Sequence, residues 1–196
     1  MWNIFLQQIG KSASGFRKAV ASWAKKTGLN HNLRALEGHT PSGYSYPIAK
    51  KLVFSKVKEN LGLDRAEILG VGAAPVSRET FEYFLSLDIP LYECYGMSET
   101  SGPQTGNRAG HHRLGSVGQS LDGCRTKIVD PDPDGNGEIC MSSRNIMMGY
   151  LGSPEKTAEA IDADGWLHSG DIGCIMDDGY FKVKKLVSHA YFKGCG

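Results

Sequence analysis

The spacing of apolar residues changes along the chain, and each change predicts a different element. Trp2, Leu6, Ile9, Ala13, Phe16, Val20 and Trp23 recur at steps of four and three, the period of one helical stripe, so residues 2–26 read as one or two helices. Gly10 and Gly15 weaken that stripe, since a glycine inside a helix costs about 1 kcal/mol against alanine. Residues 30–46 collect Gly, Pro, Ser and His and read as loop. A second helix is expected from Pro47, which suits a first helical position, through Ile48, Leu52, Val53, Val57 and Leu61 to a stop at Gly62.

A unit of about 30 residues follows, the size of a strand, helix and strand crossover. Ile68 to Val71 forms the first strand and ends at Gly72. Ser77 caps a helix that turns Phe81, Phe84, Leu85 and Leu87 inward, and Ile89 to Tyr95 returns as the second strand. Parallel strands joined in this way bind ligands beyond their carboxyl ends, so the stretches after Val71 and after Tyr95 are the ones to examine. Beyond Gly118 the pattern turns to short strands. Cys124 to Val129 and Glu138 to Ser142 form a hairpin across residues 130–136, Ser153-Pro154-Glu155 opens a short helix, and Ile172 to Met176 pairs with Tyr180 to Val183. The predicted fold class is α/β, with a parallel βαβ portion in residues 1–105, a small β-rich, barrel-like portion in residues 106–183, and a divergent tail in residues 184–196.

Composition narrows the function classes. The 196 residues are 40% hydrophobic, and 22 Lys and Arg face 21 acids for a net charge of +1, a balance that calls for no nucleic-acid partner. No acid precedes Glu37, whereas Lys11, Arg17, Lys18, Lys25, Lys26 and Arg34 are basic. That start reads as a solvated basic helix face or as a peripheral contact with an anionic membrane. Five dispersed cysteines form no Cys-x-x-Cys pair and no zinc spacing, as expected of reduced thiols in the cytoplasm. No run approaches the ~18 apolar residues of a membrane span, and Met1 to Gly10 lacks the order of a secretory signal.

Three stretches carry candidate chemistry. In Tyr95-Gly96-Met97-Ser98-Glu99-Thr100-Ser101-Gly102, the glycine permits close backbone approach, the hydroxyls can donate to phosphoryl oxygens, and Glu99 can hold a magnesium ion. By chemistry alone the same residues also make a strand, turn and helix cap. Gly70-Val71-Gly72-Ala73-Ala74-Pro75 follows the first strand of the crossover. Gly165-Trp166-Leu167-His168-Ser169-Gly170-Asp171-Ile172-Gly173 contains an aspartate that can accept from two vicinal hydroxyls, although a Gly-Asp pair alone is an ordinary turn. Other features are weaker. His111 and His112 point apart along an extended chain, the aspartates 130, 132 and 134 suit a hairpin turn better than a calcium loop, and Cys94 has no activating base in sequence.

In this order and spacing, the three stretches resemble the adenylate-forming superfamily of acyl-CoA synthetases, luciferases and nonribosomal peptide adenylation domains. Met147-Met148-Gly149-Tyr150-Leu151 and Lys156-Thr157-Ala158-Glu159-Ala160-Ile161 bring the resemblance close to the bubblegum group of long-chain acyl-CoA synthetases, over roughly residues 2–183. The resemblance implies a partial adenylate-forming N-terminal domain. It implies ATP-dependent acyl-adenylate formation from a long-chain fatty acid, followed by thioester formation with coenzyme A. Tyr95, Gly96 and Met97 would then border AMP, with Tyr95 against the adenine. Thr100 would bond the α-phosphate, Glu99 would serve Mg2+, Gly72, Ala73 and Ala74 would line the nucleotide and acyl groups, and Asp171 would hold the ribose.

The family's upstream Ser/Thr/Gly-rich phosphate loop, hinge arginine and C-terminal catalytic lysine have no counterpart in the sequence. The expectation is therefore a truncated form of a ligase, with a catalytically inactive fragment that binds nucleotide, acyl ligand or a full-length relative as the alternative. A cytoplasmic location, with peripheral contact at the endoplasmic reticulum, and association through exposed apolar surface complete the expectations.

Overall fold

The computed structural model describes residues 15–36, 38–39, 43–72 and 76–185. Two compact units divide the chain: Met1–Leu69 with Val76–Leu91, and Gly70–Pro75 with Tyr92–Gly196. Residues 2–14 of the predicted first helix, Ala73, Ala74 and most of the tail lie outside the described residues.

The first unit is helical. Helix α1 runs Gly15–Leu36, α2 spans Ser45–Ala49, a π-turn spans Lys50–Phe54, α3 spans Ser55–Asn60, and α4 spans Arg78–Ser86. The loop expected from Asn30 begins only after Leu36, because tertiary contacts outweigh the weak local propensity. Asn32 Nδ2 donates to the Leu85 carbonyl at 2.9 Å, and Gly28 lies so close to Phe54 and Ser86 that a β-carbon there would come within 2.7 Å of both. The burial stripe also differs from the sequence expectation. Ala24, Ala49 and Phe54 form the buried cluster, while Phe16, Trp23, Ile48 and Leu52 are exposed. Small residues let the helices approach, and the π-turn, stabilised by Ser55 Oγ donating to the Lys50 carbonyl at 2.9 Å, shifts the second apolar face out of a single 3.6-residue register. Ser77 caps α4 as expected, accepting from the Thr80 amide, and Phe81, Leu85 and Leu87 are buried.

Asp88 anchors this unit. It is 6% exposed at φ 62° and accepts from Tyr46 Oη at 2.7 Å, Lys58 Nζ at 2.9 Å and Asn32 Nδ2 at 3.4 Å. A buried carboxylate is tolerated only with such partners, and here an ammonium is among them.

The second unit holds two four-stranded sheets. In the first, β1 (Gly70–Val71), β2 (Tyr92–Met97), β3 (Gly102–Gly106) and β4 (Gln119–Ser120) lie in that order. The β1–β2 pair is parallel, as the crossover predicted, and the other pairs are antiparallel. The second sheet has the order β5 (Arg125–Val129), β6 (Gly137–Ser142), β7 (Leu167–Ile175) and β8 (Phe181–Lys185), all antiparallel, with α5 (Pro154–Ala160) leading into β7.

The barrel-like closure expected from sequence is not formed among the described residues. Instead of pairing with β5, the start of β8 meets the approach to β4. Val117 N–H donates to the Phe181 carbonyl and Phe181 N–H to the Gly118 carbonyl, each at 2.8 Å. Ile139, Met141 and Leu167 join Tyr95 in the core, and burying each large aliphatic side chain contributes about 1.5–3 kcal/mol. Trp166, at the entry to β7, lies beneath Lys127 Nζ at 4.1 Å and Arg125 Cζ at 5.2 Å. No helix among the described residues is long and apolar enough to cross a membrane.

Candidate functional site

The Tyr95–Gly102 stretch is strand, turn and strand. Tyr95, Gly96 and Met97 complete β2, Ser98–Thr100 make one 3-10 turn, and β3 departs antiparallel from Gly102. Gly96 is required by close approach, since a β-carbon there would stand 2.2 Å from the Gly102 carbonyl oxygen. Ser101 takes the left-handed conformation at φ 54° to close the turn. Thr100 is fully buried. Its hydroxyl accepts the Met97 amide at 3.0 Å and faces the carbonyls of Met97 at 2.8 Å and Gly102 at 2.5 Å, which share its single proton. This hydroxyl therefore shapes the turn in the structure. A bond to an α-phosphate would need its proton to leave both carbonyls.

Glu99 lies on the same turn, half-buried. Its Oε1 accepts from Tyr150 Oη at 2.8 Å, and its backbone carbonyl accepts the Met147 amide at 2.8 Å. A carboxylate steadied through one oxygen by a phenol is a hard oxygen donor of the kind that suits a magnesium ion. Asn145 braces the turn from the loop after β6, its Nδ2 donating to the Thr100 carbonyl at 2.6 Å while its own carbonyl accepts from Ser101 Oγ at 2.9 Å. Tyr150 belongs to a stretch that carried the family resemblance. Asn145 had no signal in sequence, because a lone amide in a Ser-Ser-Arg-Asn loop has neither periodicity nor motif spacing.

Asp171 is not in a turn. It lies within β7, where Leu167, Ser169, Asp171 and Gly173 alternate onto the buried face. Its Oδ2 accepts from Tyr95 Oη at 2.7 Å, a bond that joins two stretches 76 residues apart. Ser169 supports it, accepting the Asp171 amide at 3.0 Å and donating to the Ile139 carbonyl at 2.7 Å. Burial, together with the neighbouring Asp171 carboxylate, raises the Tyr95 phenol above its ordinary range and keeps it a donor. A buried carboxylate meeting an aromatic ring is a donor set that fits a nucleoside, with the carboxylate suited to ribose hydroxyls and the ring to a base.

Gly72, just after β1, lies beside β2. A β-carbon there would fall 3.0 Å from Cys94 Sγ, and Sγ itself faces the Val71 carbonyl at 3.5 Å. Burial raises the Cys94 thiol, which keeps it protonated and unlike a nucleophile. His112 is buried with its ring 5.3 Å from that of Tyr92, and burial lowers it to about 4. The hairpin aspartates form a turn, with Asp132 Oδ1 accepting the amides of Asp134 and Asn136.

The fold is that of the N-terminal domain of adenylate-forming enzymes. Residues 9–151 match the family model described as AMP-binding enzyme, and the chain belongs to that family. It is similar to the long-chain-fatty-acid–CoA ligase ACSBG2 of Gallus gallus, with 50% identity over 186 residues, covering 93% of this chain and 24% of that protein. Among solved structures it is similar to apo MatB from Rhodopseudomonas palustris, with 30% identity, a TM-score of 0.58 and coverage of 67% of this chain and 27% of that one. It is also similar to O-succinylbenzoate coenzyme A synthetase (MenE) from Bacillus subtilis in complex with ATP and magnesium, with 25% identity, a TM-score of 0.57 and coverage of 65% and 28%. The chain spans about a quarter of the length of the curated relatives it matches.

Proposed function

We propose that this chain supplies the adenylate-binding part of a long-chain fatty acid–CoA ligase. The observation that carries the proposal is the buried Tyr95–Asp171 bond, which brings together the two stretches with the base-like and ribose-like donor chemistry. The long-chain substrate and coenzyme A follow from the similarity to ACSBG2, and magnesium from the similarity to the ATP- and magnesium-bound synthetase. In the proposed reaction a fatty carboxylate attacks the ATP α-phosphorus, pyrophosphate leaves, and a thiol then displaces AMP. ATP and Mg2+ supply the activated phosphoryl group and the charge neutralisation.

The chain's own residues bind and orient. Asp171 accepts the ribose hydroxyls, Tyr95 presents its ring to the adenine, and Gly96 and Met97 give the base a narrow backbone edge. Gly72, Ala73 and Ala74 border the nucleotide and acyl groups. Glu99 holds the cation, and Thr100 turns its hydroxyl from the Met97 and Gly102 carbonyls to the α-phosphate. The division into residues 1–105, 106–183 and 184–196 stays a proposal alongside the two compact units. So do association through exposed apolar surface, a cytoplasmic location, and peripheral contact with the endoplasmic reticulum membrane through the basic start.

Coverage of about a quarter of its relatives leaves one second reading, nucleotide or acyl binding without turnover. Two measurements on the 196-residue chain test these readings. Calorimetric titration with AMP should give saturable binding, and its absence sinks both. Incubation with palmitate, ATP and Mg2+ should release pyrophosphate if the chain turns over, whereas AMP binding without pyrophosphate release selects the second reading.

A further inference from the structure

On the face of the second sheet opposite Asp171, a group of side chains has no part in the proposed nucleotide contacts. His168 on β7 stands across from Cys140 on β6. Its Nδ1 lies 2.8 Å from Glu138 Oε2 and 3.4 Å from Cys140 Sγ, and its Nε2 lies 3.5 Å from Asp162 Oδ2. The other Glu138 oxygen, Oε1, accepts the Gly170 amide at 2.8 Å. One carboxylate thus grips β7 at two points, the ring of His168 and the backbone directly before Asp171. The register of β6 and β7 shifts between Glu138 and Cys140, where the ladder alone does not fix the strand.

We propose that Glu138 is a positioning residue for nucleotide binding, a two-oxygen clamp that holds the His168 ring and the Gly170 amide and thereby sets Asp171 toward the ribose. The inference rests on the proposed nucleotide reading of Asp171. The same triad of Glu138, Cys140 and His168 has the ligand types of a metal site, but the hydrogen bonds already use His168 Nδ1, and burial pushes the Cys140 thiol up to about 12, away from the thiolate a metal needs. The groups facing His168 are Glu138 and Cys140 from β6 and Asp162 from the turn before β7, with Lys127 of β5 acting on Cys140.

The clamp has a chemical signature. Hydrogen bonding to Glu138, against a smaller effect of burial, raises His168 above its ordinary value of 6.5. The imidazolium donates from both nitrogens. When it loses one proton, the tautomer with hydrogen on Nδ1 still suits a carboxylate, so wild-type Glu138 keeps both bonds on either side of the titration. Glutamine has one oxygen. At alkaline pH its oxygen can take the Gly170 amide while its NH2 donates to an unprotonated Nδ1. At acid pH both Nδ1 and the Gly170 amide are donors, and one is left facing the NH2.

The test is AMP affinity of the wild-type chain and Glu138→Gln, compared as a ratio at each pH so that ionisation of AMP cancels, together with the His168 titration followed by NMR. The variant should bind within about twofold of wild type near pH 8 and roughly tenfold more weakly near pH 5.5, the size of one lost charge-assisted hydrogen bond. Its His168 should titrate lower than in wild type. A ratio that does not change with pH, with wild type binding AMP normally, overturns the clamp alone. Failure of wild type to bind AMP at any pH overturns the nucleotide reading and the clamp with it. If Glu138→Gln does not fold, the His168 titration in Asp162→Asn, which removes the other acid facing the ring, still decides: a midpoint above 6.5 supports the clamp, and one at or below 6.5 removes it.

Discussion

Each compact unit buries one aspartate against one tyrosine hydroxyl at 2.7 Å, and the proposed function gives the two aspartates different ends. Asp88 in the first unit takes Tyr46, Lys58 and Asn32, drawn from α1, α2 and α3. An ammonium among the partners makes that carboxylate an internal fastener, its charge answered within the helices it ties. Asp171 in the second unit is set on a strand with a neutral phenol across from it and its own amide held by Ser169. In the proposed reading this carboxylate also accepts the hydroxyls of a ribose. Depth of burial does not separate the two acids, which are 6% and 8% exposed; the proposed ribose contact of Asp171 is what would set them apart.

Replacing each acid should break this symmetry. Asp88→Ala leaves Lys58 and Tyr46 without their acceptor and should cost about 3 kcal/mol in a urea or thermal melt, while AMP affinity of the folded chain stays near wild type. Asp171→Ala should show the reverse weighting. It should weaken AMP binding by about 2 kcal/mol with a smaller loss of stability, and equal AMP binding would remove this aspartate from the site.

Trimming the phenols sharpens the contrast. Tyr46→Phe and Tyr95→Phe should each lose about 1 kcal/mol of stability in denaturant titration, but only the second should also weaken AMP binding. The smallest effect is on pH dependence. Both phenols are raised, Tyr46 by burial and its bond to Asp88, Tyr95 by burial and Asp171. A raised phenol favours the folded state fully below its unfolded value of about 10, and that contribution fades as pH climbs beyond it. Stability should therefore decline above about pH 10, and each phenylalanine variant should show a shallower decline.

The sequence made the crossover legible because Ser77, the apolar run of α4 and the flanking strands each obey a local rule. The hairpin of β5 and β6 was legible for the same reason, with its Pro, Asp and Gly turn. The β3 strand was not. Gly102-Pro103-Gln104-Thr105-Gly106 has the composition of a loop, and it pairs as a strand because buried Gln104 and Thr105 find acceptors in the Arg125 and Val117 carbonyls. The end of α1 was missed likewise, since what prolongs the helix past Asn30 is Asn32 reaching Leu85, a contact between residues 53 apart.

At the site, the motifs around Tyr95 and Asp171 named the candidate residues but not their setting. The Gly-Asp pair that alone would read as a turn lies within β7, and Asn145 and Glu138 became visible only once the sheets brought them near.

Gly96 has a further consequence for which substitutions this chain can accept. With the Gly102 oxygen where a β-carbon would have to go, mutation at that codon finds no acceptable side chain, and lengthening the hairpin between them would pull the two backbones out of step. Inheritance is thus left to explore the residues around the contact, while the contact itself stays bare.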